Sequence, residues 1–162
     1  MAHAYVSIGS NIEPERYIRS SLESLRQQYG KLIISSVYES QAVGFSGNNF
    51  YNLVVGFETT DTIPAISQTL RHIEADHGRQ RTSEKFNDRT LDLDLILYDD
   101  WVGQEGNVVL PRDEIVKYAF VLQPLAEIAP DEKHPQLQQT YADLWQQFDK
   151  SQQVLWVIDI PI

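Results

Sequence analysis

The chain has 162 residues, with 13 Lys and Arg against 23 Asp and Glu, a formal net charge of −10 and no Cys. This length fits one domain, residues 1–162, which can bury a core without disulfides or structural metal. The lack of Cys excludes disulfide scaffolds, thiolate metal sites and a Cys nucleophile. The charge disfavours a nucleic-acid partner, and no apolar run approaches the length of a membrane span. We therefore expect a cytoplasmic protein with neither nucleic-acid nor membrane partners.

The first third of the chain predicts a strand, a helix and a second strand. Residues 4–8 alternate in polarity and end at Gly9-Ser10-Asn11, as a strand followed by a turn does. Pro14 suits the first turn of a helix that Gly30 ends. Its apolar stripe, at spacings of three and four residues, consists of Ile18, Leu22, Leu25 and Tyr29. Residues 32–38 are rich in β-branched side chains and predict the second strand.

The next segment predicts two more strands around a second helix. A turn-rich stretch over 41–49 precedes a strand over 50–59. Asp61 or Thr62 caps the helix, which Gly78 ends, and a loop over 79–89 leads to a strand over 91–98. This β-α-β-β-α-β order predicts an α+β, ferredoxin-like core, in which one antiparallel sheet has two helices on one side. Weaker patterns after it predict C-terminal helices and a strand, over 120–128, 141–148 and 154–160.

The most informative sequence is the run from Arg89 to Tyr98, in which leucines alternate with acids. Strand geometry places Leu91, Leu93, Leu95 and Leu97 on one face. It places Asp92 and Asp94 on the other, with their Cα atoms about 7 Å apart. Because two acids on one face repel each other, a hard cation such as Mg²⁺ with substrate phosphates is expected between them. The alternative is a solvent-facing strand surface that carries two acids.

Basic residues are concentrated just before this run. Five of the 13 lie within 19 positions: Arg71, Arg79, Arg81, Lys85 and Arg89. Guanidinium groups beside a carboxylate metal site suit a polyphosphate. The alternative is that they pair with local acids, namely Glu74, Asp76, Glu84 and Asp88.

Several motifs together resemble the 6-hydroxymethyl-7,8-dihydropterin pyrophosphokinase family, along nearly the whole chain. The motifs are Tyr5-Val6-Ser7-Ile8-Gly9-Ser10-Asn11, Phe50-Tyr51-Asn52, Ile73-Glu74 with Gly78-Arg79, Arg89-Thr90-Leu91-Asp92-Leu93-Asp94, and the segment from Phe120 to Pro130. The resemblance implies transfer of the pyrophosphoryl group of ATP to the hydroxymethyl oxygen of a pterin, with release of AMP, in folate biosynthesis. It also implies a monomer that binds the pterin and ATP as small molecules.

The resemblance assigns roles to individual positions. Asp92 and Asp94 would hold two Mg²⁺ ions and, with Arg79 and Arg89, form the catalytic set. The residues implied to bind the nucleotide are Glu74, Arg79, Arg81, Arg89, Leu95 and Arg112. Those implied to bind the pterin are Ser40, Val43, Gly44, Phe50, Asn52 and Phe120, with the two aromatic rings on either side of the pterin. Judged without the family, Phe50 and Phe120 could be core residues and Glu74 a solvated charge.

Three departures from the family pattern concern the phosphate-binding part. Asn87-Asp88 stands where the family has a small residue and often Pro, Arg112 where it has His, and Tyr118 where it has Arg. Two alternatives therefore stay open. One is a diverged relative that binds pterin and nucleotide with weak activity or a different acceptor. The other is a non-enzymatic ferredoxin-like binding module.

Overall fold

A computed structural model describes residues 1–41, 48–78, 90–151 and 153–162. The strands are β1 (Ala2–Ser10), β2 (Ile33–Ile34), β3 (Val37–Ser40), β4 (Phe50–Thr59), β5 (Asp92–Tyr98), β6 (Gly103–Glu105), β7 (Val108–Leu110) and β8 (Leu155–Ile158). The helices are α1 (Pro14–Tyr29), α2 (Ile63–Asp76), α3 (Glu114–Lys117), α4 (Ala119–Ile128) and α5 (Tyr141–Gln147). None of these helices is long and apolar enough to cross a membrane.

The main sheet is antiparallel and confirms the predicted ferredoxin-like arrangement. Its strands lie in the order β5-β1-β4-β3-β8, and β2 pairs with β4. The longest pairing joins β1 to β4 from Ala2 opposite Thr59 to Ser10 opposite Tyr51. The predicted bounds of α1 and β4 are confirmed, and Thr62 is the cap of α2, where its hydroxyl accepts a hydrogen bond from the Ala65 N–H.

Helices cover both faces of this sheet. On one face the α1 and α2 stripes pack on the strands, with Ile18, Leu22, Leu25, Ile66 and Leu70 fully buried. On the other face α4 and α5 bury Leu122, Leu125 and Tyr141 against Tyr5 and Val54. The two predicted helices thus occupy one side, and the C-terminal helices close the other.

The prediction that four alternating leucines share one face of β5 is wrong for Leu97. Val6 of β1 pairs with Leu95, but the next pair is Tyr5 with Leu97, so Ile96 is an extra residue in β5. Such a bulge breaks the alternation of side chains. Leu91, Leu93 and Leu95 pack against α1 and α2 as expected, whereas Ile96 and Leu97 belong to the core beneath α4.

The predicted strand over 32–38 is divided into β2 and β3. At the break the Ser35 N–H donates to the Val54 carbonyl and the Val54 N–H donates to the Ser35 hydroxyl, both at 3.0 Å. The Ser36 N–H donates to the carboxylate of Glu127 on α4. These bonds replace regular strand pairing at the break, and the bond to Glu127 joins it to the helix that carries Phe120.

Candidate active site

One row of residues crosses the sheet from β5 to β3. The register places Asp92 opposite Gly9, Gly9 opposite Asn52 and Asn52 opposite Tyr38. Directly opposed residues of antiparallel strands project to the same face. Asp94, two residues along β5 from Asp92, projects to that face as well. The predicted metal-binding acids and the predicted pterin-binding amide therefore share one side of the sheet.

The aromatic residues predicted to hold the pterin belong to this same side. Phe50 lies opposite Ser40, two residues along from the pair of Asn52 and Tyr38. The Asn52 side-chain amide approaches the Ser40 hydroxyl at 3.5 Å. Phe120 is the second residue of α4, the helix that covers this face, and it packs partly buried at the margin of the core there. The structure thus gathers Ser40, Phe50 and Asn52 at one end of the sheet, and Phe120 lies on the helix that covers the same face.

Gly9 gives the Asn52 side chain its space. A Cβ atom at position 9 would lie 2.8 Å from Oδ1 of Asn52, closer than such atoms approach in proteins. Asn52 is itself buried. The glycine between Asp92 and Asn52 therefore lets the amide lie across β1, and a larger residue would displace it.

Glu74 on α2 is buried against the outer edge of β5. It is 2% exposed, and its Oε2 accepts a hydrogen bond of 2.7 Å from the Leu93 N–H. Arg71, one turn earlier, donates to Glu74 Oε1 at 2.8 Å and to the Leu93 carbonyl at 2.7 Å. The alternative reading of Glu74 as a solvated charge is wrong. For Arg71, the reading as a partner of a local acid is confirmed.

Asp94 lies between two guanidinium groups. Its Oδ1 is 3.4 Å from Nη2 of Arg71 and 3.8 Å from Nη2 of Arg112. Burial raises the pKa of Asp94 to about 7, and the charge of Asp92 acts in the same direction, although Arg112 and Arg71 lower it. Burial therefore disfavours the ionised form of this carboxylate, and a cation bound beside it would favour that form.

Glu74 is a second buried acid with a raised pKa. Burial raises the pKa of Glu74 to about 8, against the opposing effects of Arg71 and the Leu93 N–H. Its carboxylate oxygens already accept bonds from those two groups, so Asp92 and Asp94 are the better placed metal ligands. Across the described ranges no cluster of three or more metal-ligating side chains occurs. Two carboxylates suit Mg²⁺, which takes one or two from the protein and completes its shell with water and phosphate oxygens.

Arg112 reaches the site from the segment after β7. Its N–H donates to the Ile96 carbonyl at 3.1 Å, so its main chain lies against β5. Its guanidinium donates to Glu114 at 3.0 Å and approaches Asp94. The predicted nucleotide-binding role of Arg112 is thus compatible with its place beside the acids. Glu114, which no sequence pattern indicated, adds a further negative charge there.

Tyr118 is the other position that departs from the family pattern. Its ring stacks on that of Phe120, with the ring centres 5.0 Å apart and the planes at 12°. As a replacement of the Arg of the family pattern, Tyr118 removes a positive charge, but its ring also has a packing role. A spacing of two residues does not predict stacking in a helix, and it arises here because Tyr118 precedes α4 in an extended conformation.

Leu95 differs from the other predicted site residues. It is 4% exposed and packs in the core beneath α1 and α2, on the face opposite to Asp92 and Asp94. A nucleotide contact at this position would have to come from its main chain. The remaining predicted residues lie outside the described part of the chain: Val43, Gly44, Arg79, Arg81 and Arg89.

Comparison with known proteins identifies the family of this chain. The family of 7,8-dihydro-6-hydroxymethylpterin-pyrophosphokinase (HPPK) matches residues 5–130, and the chain belongs to it. A relative from Synechocystis is 36% identical over 155 residues, which cover 90% of this chain and 76% of the relative. One from Aquifex aeolicus is 33% identical and covers 83% and 85%. Both are named 2-amino-4-hydroxy-6-hydroxymethyldihydropteridine pyrophosphokinase.

Solved structures agree on the fold. A crystal structure of Plasmodium falciparum HPPK-DHPS, at 16% identity, superposes with a TM-score of 0.69 over 91% of this chain. An HPPK-DHPS in complex with substrates, at 12% identity, gives 0.71 over 90%. This chain spans 43% of each of those longer chains.

Proposed function

We propose that this protein transfers the pyrophosphoryl group of MgATP to 6-hydroxymethyl-7,8-dihydropterin and releases AMP, a step of folate biosynthesis. The observation that carries the proposal is the shared sheet face of Asp92, Asp94, Asn52 and Phe50. It brings an acidic site suited to metal and phosphate next to an amide and a ring suited to a planar heterocycle. Family membership supplies the reaction type.

Asp92 and Asp94 are the residues that would hold magnesium, two ions by the family resemblance. Bound there, the metal would neutralise charge on the polyphosphate and orient it. The raised pKa of Asp94, caused mainly by burial, supports this role. A divalent ion would favour the ionised carboxylate, which burial disfavours.

The nucleotide phosphates would meet the basic side of this site. Arg112 has the required position beside Asp94. Arg79, Arg81 and Arg89 are assigned from the sequence. Glu74 acts indirectly, since it holds Arg71 and the edge of β5. Positioning and neutralisation of charge supply most of the acceleration in phosphoryl-type transfer.

The pterin would stack between Phe50 and Phe120 and use its polar edge to bond Asn52. Ser40, which the Asn52 amide approaches, lies at the same end of β3, and Val43 and Gly44 are assigned from the sequence. Stacking on aromatic faces suits a flat heterocycle, and a buried amide rejects rings that leave it unpaired. The roles of these residues are therefore recognition and orientation of the acceptor.

In the proposed reaction the hydroxymethyl oxygen attacks the β-phosphorus of ATP. A bond forms between that oxygen and the β-phosphorus, and the bond from the β-phosphorus to the α,β-bridging oxygen breaks. AMP leaves with that oxygen, and the hydroxyl proton passes to solvent. The protein's own residues align the two reactants, which is where the rate enhancement arises.

A second candidate is a diverged family member with weak turnover or another acceptor. The observation in its favour is Tyr118, whose ring stacks on Phe120 and provides no guanidinium for a phosphate. Binding of both ligands without transfer would identify this case.

The test is AMP formation from MgATP with and without 6-hydroxymethyl-7,8-dihydropterin. The wild type should form AMP only when both substrates are present. Asp94→Asn should lose at least 100-fold in kcat, about 3 kcal/mol at the transition state. Asp131→Asn, at an exposed acid in the turn after α4, is the matched control and should keep wild-type activity. No AMP above background at high enzyme would reject the proposal.

A further inference from the structure

A side chain from the C-terminal segment clamps the junction between α3 and α4. Tyr118 joins the two helices in an extended conformation, with φ −123° and ψ 127°. Gln153 Oε1 accepts a hydrogen bond of 2.8 Å from the Ala119 N–H, and its Nε2 donates to the Lys117 carbonyl at 3.0 Å. One amide group therefore bonds the main chain on both sides of Tyr118, which fixes the direction of that residue.

The Tyr118 ring in turn supports Phe120. Their near-parallel stacking at 5.0 Å covers one face of the Phe120 ring. Both rings pack, partly buried, at the margin of the core beneath α4. The Lys117 ammonium lies 5.8 Å from the centre of the Tyr118 ring. The stack on Tyr118 therefore restricts the orientation of the partly buried Phe120 ring.

We infer that Tyr118 is a positioning residue for the acceptor, holding Phe120 in the orientation in which it stacks on the pterin. The inference rests on the proposed function, which gives Phe120 that role. In this role Tyr118 acts through Phe120 rather than on the reacting atoms. Gln153 belongs to the same arrangement because it fixes the main chain of Tyr118.

This role for Tyr118 differs from that of a charged residue that binds phosphate. If position 118 served the triphosphate, its replacement would alter nucleotide affinity. As the support of an aromatic platform it controls pterin affinity instead. Stacked aromatic pairs contribute modestly beyond the area they bury, so the expected loss on removing the ring is about 3- to 10-fold in Kd.

The test measures binding of 6-hydroxymethylpterin by its own fluorescence, with Mg²⁺ and α,β-methylene-ATP present. The variants are Tyr118→Leu, which removes the ring, and Tyr118→Phe, which keeps it. Gln153→Leu removes both clamp bonds, and Gln146→Leu, at an exposed glutamine of α5, is its control. Affinity for α,β-methylene-ATP is measured for each variant, and far-ultraviolet circular dichroism verifies folding.

Tyr118→Leu should weaken pterin binding about 3- to 10-fold, Gln153→Leu about 2- to 5-fold, and the other two variants less than 2-fold. Nucleotide affinity should stay within 2-fold throughout. Should Tyr118→Leu fail to fold, Gln153→Leu decides. Wild-type pterin affinity in the ring-less or clamp-less variant would overturn the inference while leaving the proposed function intact. A wild-type protein that binds no pterin would overturn both.

Discussion

The carboxylate of Glu74 accepts a 2.7 Å hydrogen bond from the main-chain N–H of Leu93. Through it, an acid of α2 closes the outer edge of β5 between the two aspartates of the site. Arg71 completes the closure by donating to the Leu93 carbonyl. Edge strands expose unpaired main-chain groups, and here an arginine and a glutamate one turn apart satisfy both groups of one residue.

Replacement of Glu74 should therefore destabilise the fold. In Glu74→Ala the Leu93 N–H and the Arg71 guanidinium lose a buried partner, which costs about 2–3 kcal/mol. Glu74→Gln retains an acceptor for the Leu93 N–H and should lose less than about 1 kcal/mol. Urea unfolding measures both. An unchanged midpoint in Glu74→Ala would show that the closure contributes nothing to stability.

Asp94→Asn should have lower activity but a more stable fold than the wild type. The folded pKa of Asp94, raised to about 7 mainly by burial, lies above its unfolded value near 4. The native state thus binds more protons between these values, and the stability of the wild type falls as pH rises through that window. Asparagine does not ionise, so the variant does not lose stability over this pH range. At pH 8 the variant should have a Tm about 2–8 °C above the wild type, with the gap closing below pH 4.

The readout for that prediction is thermal unfolding of both proteins from pH 3.5 to 8.5 without divalent ions. Asp131→Asn should show no pH-dependent gap. A lower Tm for Asp94→Asn than for the wild type at pH 8 would mean that Arg71 and Arg112 already compensate the charge.

Magnesium should stabilise the wild type in the same pH range. Metal binding requires the ionised carboxylate, so the Tm increase on adding Mg²⁺ and α,β-methylene-ATP should be larger at pH 8 than at pH 5.5. EDTA should reverse it. Asp92→Asn and Asp94→Asn should each lose most of this increase. An equal increase in these variants would place the metal elsewhere.

Gly9→Ala should weaken acceptor binding. The new Cβ would meet Oδ1 of Asn52 at 2.8 Å and turn the amide away from the pterin edge. We expect KM for the pterin to rise about 10-fold, a change worth about 1.4 kcal/mol, with KM for ATP changed less.

The control for Gly9→Ala is Gly30→Ala. Gly30 has φ +79° and no atom within 4 Å of its added Cβ. Alanine there should cost about 1 kcal/mol of stability through backbone strain and leave both KM values unchanged. Equal KM values for wild type and Gly9→Ala would separate Asn52 from acceptor recognition.

Local patterns were sufficient to predict most of the fold. The helix stripe from Ile18 to Tyr29 and the strand from Phe50 to Thr59 were placed with their correct bounds, since periodicity and flanking glycines are local signals. The bulge at Ile96 was not predictable, because it depends on the register between β1 and β5. Because of this one extra residue, Leu97 packs in the core beneath α4 and not in the core beneath α1 and α2.

In the candidate site, too, local sequence patterns predict some features, and others depend on the tertiary structure. Asp92 and Asp94 were found from alternation and charge within one strand. The buried bond of Glu74 to Leu93, the contact of Arg112 with Glu114 and the stack of Tyr118 on Phe120 each depend on tertiary placement or on a local conformation that spacing does not reveal. A sequence shows which charges are available, but burial decides which of them pair internally.

The most direct measurement follows the two outer phosphates of ATP separately. The protein is incubated with Mg²⁺, 6-hydroxymethyl-7,8-dihydropterin and either [β-³²P]ATP or [γ-³²P]ATP, and the pterin product is isolated. Both labels should enter the pterin product in equal amounts, with unlabelled AMP released. Transfer of the γ label alone with formation of labelled ADP, or no label in the pterin from either nucleotide, would contradict pyrophosphoryl transfer.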